Sequence, residues 1–311
     1  MSAARKAFCE RIATIREAVD AFNLRDMPLH SSNATHNASV RVIRNGLVIQ
    51  CFNTFEDFLK ARMSEVLTSL SARLRSIQHL PEKLRDAATV GVISAIQFQL
   101  KLQDASSKAR FVQDCAGKIF STTLGSIQLP EIMFFHSASN ISHEQYKEAL
   151  SAFGIQSTWD QVRNLCSRIG ISGMPPQEVF RSFATRRHQA AHEAGTTISE
   201  LDLLQSIIDA TGLALCFDVL LTNAAHIVPS HSSISATTPR ALVDQASIPI
   251  RFIKSDGGRF IEIKEGSTRA FRINRDLTKI TLDALNRSRA ESGLLVKCDS
   301  VGIPIEWDLP S

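Results

Sequence analysis

The sequence predicts a mainly α protein, a helical bundle followed by a small α+β module at the C-terminus. Three observations carry that expectation. From Arg5 to about Ala225, apolar residues recur at steps of three and four, the period of helices with one buried face. A stretch rich in Ser, Thr and Pro then covers 228–247, a composition suited to an exposed linker. Beyond it, short apolar segments are separated by glycine-containing turns, as strands are. The expected division is a helical domain over 1–227, a linker over 228–247 and a small module over 248–311.

Phe8, Ile12, Ile15, Val19 and Phe22 mark a first amphipathic helix. The polar run His30–Asn37 reads as a loop offering N-caps. A longer helix follows, with Phe52, Phe55, Leu59, Met63, Val66, Leu70, Leu74 and Ile77 on its core face until Pro81 interrupts it. Helices are also expected over Glu82–Leu102, Ser142–Phe153 and Trp159–Ile169, with Ser157 and Thr158 as capping candidates for the last. Residues 105–140 give no single reading.

Pro175–Pro176 opens a helix expected to reach Ala194, and Gly195 closes it, the usual asymmetry of proline at the start and glycine past the end. Thr197–Ile198–Ser199–Glu200 has capping-box spacing ahead of an apolar helix from Leu201 to Leu221. In the tail, Ile248–Lys254, Arg259–Glu265, Arg269–Asn274, Leu294–Cys298 and Ile303–Trp307 read as strands and Asp276–Arg289 as a helix. Ser255–Asp256–Gly257–Gly258 is a hairpin turn, because glycine accepts the positive φ such turns demand.

With 44% apolar and 21% charged residues, the chain has the composition of a soluble globular protein. Its net charge of +4 permits nucleic acid as a partner without requiring it. Six scattered cysteines with no C-x-x-C pair suit a reducing cytoplasm. The start, Met1 to Ala7, leads into charged amphipathic sequence rather than a signal peptide, and no uncharged apolar run approaches a membrane span. Cytoplasmic localisation without a membrane partner is therefore expected. There is no Walker loop, no G-x-G-x-x-G and no evident serine or cysteine nucleophile.

The chemistry concentrates in Arg187–His188–Gln189–Ala190–Ala191–His192. At 100° per residue, Phe180, Ala184, Arg187 and Ala191 fall on nearly one line, so Arg187 points where an apolar residue is expected. His188 and His192 share the adjoining stripe with Arg181. On the long early helix Glu56 falls within the stripe of Phe52, Phe55, Leu59 and Met63. Opposite charges on two apolar faces invite pairing, and a structural salt bridge is the ordinary reading of Glu56.

Arg187 and His192 suit a different task. Arginine grips two phosphate oxygens at once, and histidine exchanges protons near neutral pH. RNA supplies its own nucleophile, the 2′-hydroxyl. Two histidines four apart give only two of the three protein ligands a catalytic zinc needs, and the glutamate follows the second histidine, unlike H-E-x-x-H. No metal or other cofactor is expected.

Arg187, polar His188 beside it and His192 resemble the signature of the HEPN superfamily, an arginine and a later histidine with four to six residues between them. The late-helix placement and the capped apolar helix after it are similar too, in particular to the RiboL-PSP-type branch of bacterial defence and toxin systems. The resemblance runs from about Ala3 to Ala225, more thinly over 105–155. Arg186 with His192 and Arg181 with His188 satisfy the same spacing; Arg187 is preferred because it alone lies on the buried stripe beside a polar neighbour.

The resemblance implies a metal-independent endoribonuclease acting on RNA at a homodimer interface. Arg187 would bind the scissile phosphate, His192 would move protons, His188 would position the phosphate, and Glu56 would orient Arg187. It also implies a toxin or antiviral role, with an antitoxin or defence protein as possible partner. A catalytically silent HEPN scaffold that binds RNA or a protein is the alternative. A third possibility makes the C-terminal module a reader built on Arg251, Arg259, Arg269, Arg272 and Arg275, although basic residues along strands more often form a solvated face.

Overall fold

The computed structural model describes residues 2–28, 30–136, 140–171, 173–193, 195–228 and 248–309. In chain order the helices are α1 Ala3–Ala21, α2 Ala34–Arg73, α3 Glu82–Asp86, α4 Val92–Gln99, α5 Lys108–Ser121, α6 His143–Ala152, α7 Thr158–Arg168, α8 Pro176–His192 and α9 Glu200–Ile227. The tail contains β1 Ile250–Asp256, β2 Arg259–Lys264, β3 Arg272–Asn274, α10 Leu277–Ala290, β4 Leu294–Cys298 and β5 Pro304–Asp308. The fold is mainly α with a small mixed sheet, as the sequence predicts.

Several boundaries move, each for a local reason. Helix α2 begins at Ala34, inside the expected loop, where Asn37 clasps both backbone groups of Met27 at 2.8 and 2.9 Å. It ends at Arg73, and a 3₁₀ turn takes up Ile77–His79. The expected 82–102 helix carries a π-turn at Ala87–Gly91 between α3 and α4. Ser199, rather than Thr197, caps α9: its Oγ accepts the Asp202 amide at 3.0 Å while Asp202 reaches back to the Ser199 amide. Helix α8 stops at His192, two residues early, and the expected last residue, Ala194, lies outside the described residues.

The chain forms two compact units, the first made of Met1–Phe58, Val162–Cys216 and Asp244–Ser311. Its sheet runs β3-β2-β1-β4-β5, with β1 and β4 parallel and the other neighbours antiparallel. Gly257 and Gly258 turn the β1–β2 hairpin with φ of +55° and +82°, the paired positive values a two-residue turn requires. Ile280 and Ala284 of α10 pack on Ile253 and Leu295, and Asp276 caps α10 through the Lys279 amide at 3.1 Å.

Besides its own cluster of Ile253, Ile280, Ala284 and Leu295, the tail packs on the helical part through β5, which lies against α1. Arg5 and Asp308 pair at 3.0 Å with side chains 3% and 7% exposed, and Trp307 lies against Phe8 and Phe58, centroids 5.8 and 6.0 Å away. The linker expected over 228–247 lies, apart from Val228, outside the described residues. Arg251 is not on a solvated face either: it is buried and paired with Glu262 at 2.8 Å and Glu291 at 2.6 Å.

The second unit comprises Leu59–Gln161 and Phe217–Val243. Tyr146 is fully buried, stacks on Trp159 at 5.3 Å and touches Phe217 at the same separation. Arg62 binds buried Asp218 at 2.6 Å, Thr222 at 2.7 Å and Glu65 at 3.0 Å. Thr222 also donates to Asp218 at 3.1 Å, so Arg62 gives a buried, hydrogen-bonded carboxylate its opposite charge within the apolar α9. Helix α9 has the length and hydropathy of a membrane span, but 83% of its most apolar window is buried inside the protein.

Candidate active site on helix α8

Helix α8 is fixed by an aromatic clamp. Phe180 and Phe183, three apart and so on one face, meet Phe52 and Phe55 of α2, with Phe52–Phe183 centroids 4.8 Å apart and Phe55–Phe180 5.7 Å apart. All four rings are buried. Each is worth about 1.5–3 kcal/mol in burial, and each edge-on pair about 0.5–1.5 kcal/mol more, which is ample to set the rotation of a short helix.

That rotation decides where the next residues point. Arg187 lies one turn beyond Phe183 on the same face and is half-buried. Its Nε is shielded from water and has no hydrogen-bond partner among the described residues. An unsatisfied buried donor costs about 1–3 kcal/mol. The pairing with Glu56 expected from the sequence is therefore not made at that nitrogen, and Glu56 sits half-buried on α2. His188 and His192 are exposed, with ring centroids 4.8 Å apart, and α8 ends at His192 as Glu193 turns extended.

The neighbouring arginine is in a different state. Arg186 donates from Nε to Ser206 at 2.9 Å, from Nη1 to Ser182 at 3.1 Å and from Nη2 to Asp209. Asp209, 5% exposed, also accepts from Gln205 at 2.7 Å. Burial lifts the Asp209 carboxyl above the usual carboxylate range, while Gln205 and Arg186 pull it down. Arg181 pairs with Glu178 at 2.7 Å on the surface. Of the three arginines that satisfy the motif spacing, two are thus held by carboxylates, while the shielded Nε of Arg187 is unmatched among the described residues.

The Arg186–Asp209 pair was not anticipated from the sequence. The signal was present: Asp209 interrupts an apolar stripe in α9 just as Glu56 does in α2, and a lone acid in such a stripe asks for a cation. Among the described residues, no three His, Cys, Asp or Glu side chains converge as metal ligands.

The arrangement offers a guanidinium that can accept a phosphate and two water-accessible imidazoles on a rigid helix. No curated protein and no solved structure matches the chain. Comparison with protein families matches residues 13–223, more than half of the sequence, to RiboL-PSP-HEPN. A match of that extent over α8 and its supporting helices settles the lineage: the chain belongs to the RiboL-PSP-HEPN family.

Proposed function

We propose that the protein is a metal-independent endoribonuclease whose reaction is carried by Arg187 and His192, with His188 beside them. The observation that supports this reading is the contrast between adjacent arginines. Arg186 is held in an ion pair by buried Asp209, whereas Arg187 has a shielded Nε that is unmatched among the described residues, next to two exposed imidazoles. A phosphate oxygen would satisfy that donor, and a charge-assisted bond there is stronger than a neutral one.

In the reaction, the 2′-oxygen gives up its proton and attacks the adjacent phosphorus. The bond to the 5′-oxygen breaks, and that oxygen takes up a proton as it leaves. The products are a 2′,3′-cyclic phosphate and a 5′-hydroxyl end. Arg187 neutralises charge on the phosphate as it builds, and histidine imidazoles handle the two protons. One His192 cannot accept and donate in the same instant, so a second imidazole handles the other proton, either His188, 4.8 Å away in the same chain, or His192 of a second copy. The family reading favours the second copy, a homodimer through the exposed end of α8, with Glu56 steadying the helix face.

The setting, a toxin or antiviral effector restrained by a partner protein, is proposed from the family alone. Growth arrest on expression, relieved by Arg187→Ala, tests it. For the chemistry, purified protein is incubated with RNA in excess EDTA. Cleavage leaving cyclic-phosphate ends supports the reading, and intact RNA with retained RNA binding indicates a silent scaffold.

A further inference from the structure

Behind α8, on the far side from its histidines, lies a cavity of about 630 Å³ within the first unit. Val179, Ser182 and Arg186 face it from α8, at the steps of three and four that share a helix face. Arg186 and His188 differ by two residues, about 200° around the helix, so cavity and histidines sit on opposite sides. The other walls come from α7, from Ile171, Gly173, Met174 and Pro175, and from α9. Gly212 lets Ile171 close in: a Cβ there would meet Ile171 Cδ1 at 2.8 Å.

The polar floor of this cavity has hydrogen-bonding capacity left over. A guanidinium has five N–H donors; Arg186 uses three, leaving one on each Nη among the described residues. A carboxylate has about four acceptor positions, and Asp209 fills one on each oxygen. Gln205 donates to Asp209 from Nε2, leaving its Oε1 and a second N–H unused among the described residues. These groups line the cavity together, Asp209 buried, Arg186 half-buried and Gln205 exposed at its mouth, with apolar Ile171, Val179 and Ile208 in the same lining.

Such a floor discriminates. The charges of Arg186 and Asp209 cancel, so an ion placed against them would upset a balanced buried pair, while a neutral group with adjacent acceptor and donor completes it. Flat apolar faces suit the walls. A nucleobase has both properties, and the volume lies within the usual range for small-molecule sites.

We propose that this cavity binds a nucleobase, read along one edge by Arg186, Asp209 and Gln205. The base comes either from a free nucleotide or from an unstacked residue of RNA, and the inference stands whether or not the chain cuts RNA. Binding also bears on α8, since a base engaging Arg186 acts on the residue next to Arg187.

The test uses the full chain carrying His192→Ala, so that RNA is not consumed. AMP, GMP, CMP and UMP are titrated by calorimetry, as is a short 2′-O-methyl RNA of mixed sequence. Cys166, half-buried and lining the cavity, serves as reporter: its alkylation is followed by peptide mass mapping. At least one probe is expected to saturate, to slow Cys166 alkylation, and to bind about tenfold more weakly after Gln205→Ala or Ser182→Ala. Those two changes leave the Arg186–Asp209 pair in place, so the protein stays folded. Saturation by a mononucleotide identifies a free ligand; saturation by the RNA alone identifies a substrate base. If no probe saturates and protects Cys166, or if both variants bind like the parent, the inference is overturned. Nucleotide binding by a chain that fails to cleave RNA would leave this site standing and remove the nuclease reading.

Discussion

Replacing Arg186 and Arg187 in turn should give opposite results, although the two are adjacent. Arg186→Ala strands Asp209, which is 5% exposed, inside the protein. Removing one partner of a buried ion pair typically costs about 3–5 kcal/mol. Two further bonds, to Ser206 and Ser182, go with it. Asp209 can escape part of the penalty by binding a proton, because burial already raises its pKa, so the lower end, about 3 kcal/mol, is the expected loss. At about 2–4 °C per kcal/mol for a protein of this size class, the melting midpoint should fall by roughly 6–12 °C. Arg187→Ala removes a donor that is unmatched among the described residues, and with it a desolvation cost of about 1–3 kcal/mol, so its stability should hold or rise. Urea and thermal unfolding of both variants supply the measurement. Equal losses, or a larger loss at Arg187, would show that the division of labour between the two arginines is wrong.

Other outcomes can be checked separately. Burial lowers the pKa of His136, and burial with the nearby Arg73 and Arg62 lowers that of His226. Both are then neutral in the folded chain at pH values where the unfolded chain takes up protons, so stability should be full above pH 6.5 and decline as pH falls below it. Urea midpoints at several pH values read this slope, and His136→Gln with His226→Gln should flatten it. Removing everything beyond Val228 should uncover Phe8 and Phe58 and strand Arg5. Loss of cooperative melting is expected, and a truncated chain that melts like the parent would show that β5 contributes little. Phe183→Ala should cost about 3–5 kcal/mol through the cavity it leaves and lower any RNA cleavage, since the clamp sets the direction of Arg187.

The helices were legible because amphipathic periodicity is a local property that tertiary packing preserves. Phe52, Phe55, Phe180 and Phe183 are each on the core face their spacing predicts. Gly257 and Gly258 likewise announce a hairpin that the backbone makes. What was not legible depends on which distant residues meet. Nothing near Trp307 or Asp308 in sequence says that Phe8 and Arg5 will cover them, so the tail reads as a separate body. Partners of buried charges are equally hidden: Asp209 of α9 is met by Arg186 of α8, and no spacing in the sequence names that partner. A wheel gives the face a charge lies on but not the height at which two helices cross.

The most direct measurement is cleavage of one short RNA in two forms, all-ribose and with a single deoxyribose at the cut position, by the parent chain, Arg187→Ala and His192→Ala in EDTA. The parent should cut the ribose form to a 2′,3′-cyclic phosphate and leave the deoxy form intact. Each variant should be inactive with helix content unchanged, and the double variant no worse than either single one. Cleavage of the deoxy substrate, full activity in either variant, or activity that vanishes in EDTA and returns with a divalent metal would contradict the assignment of the reaction to Arg187 and His192.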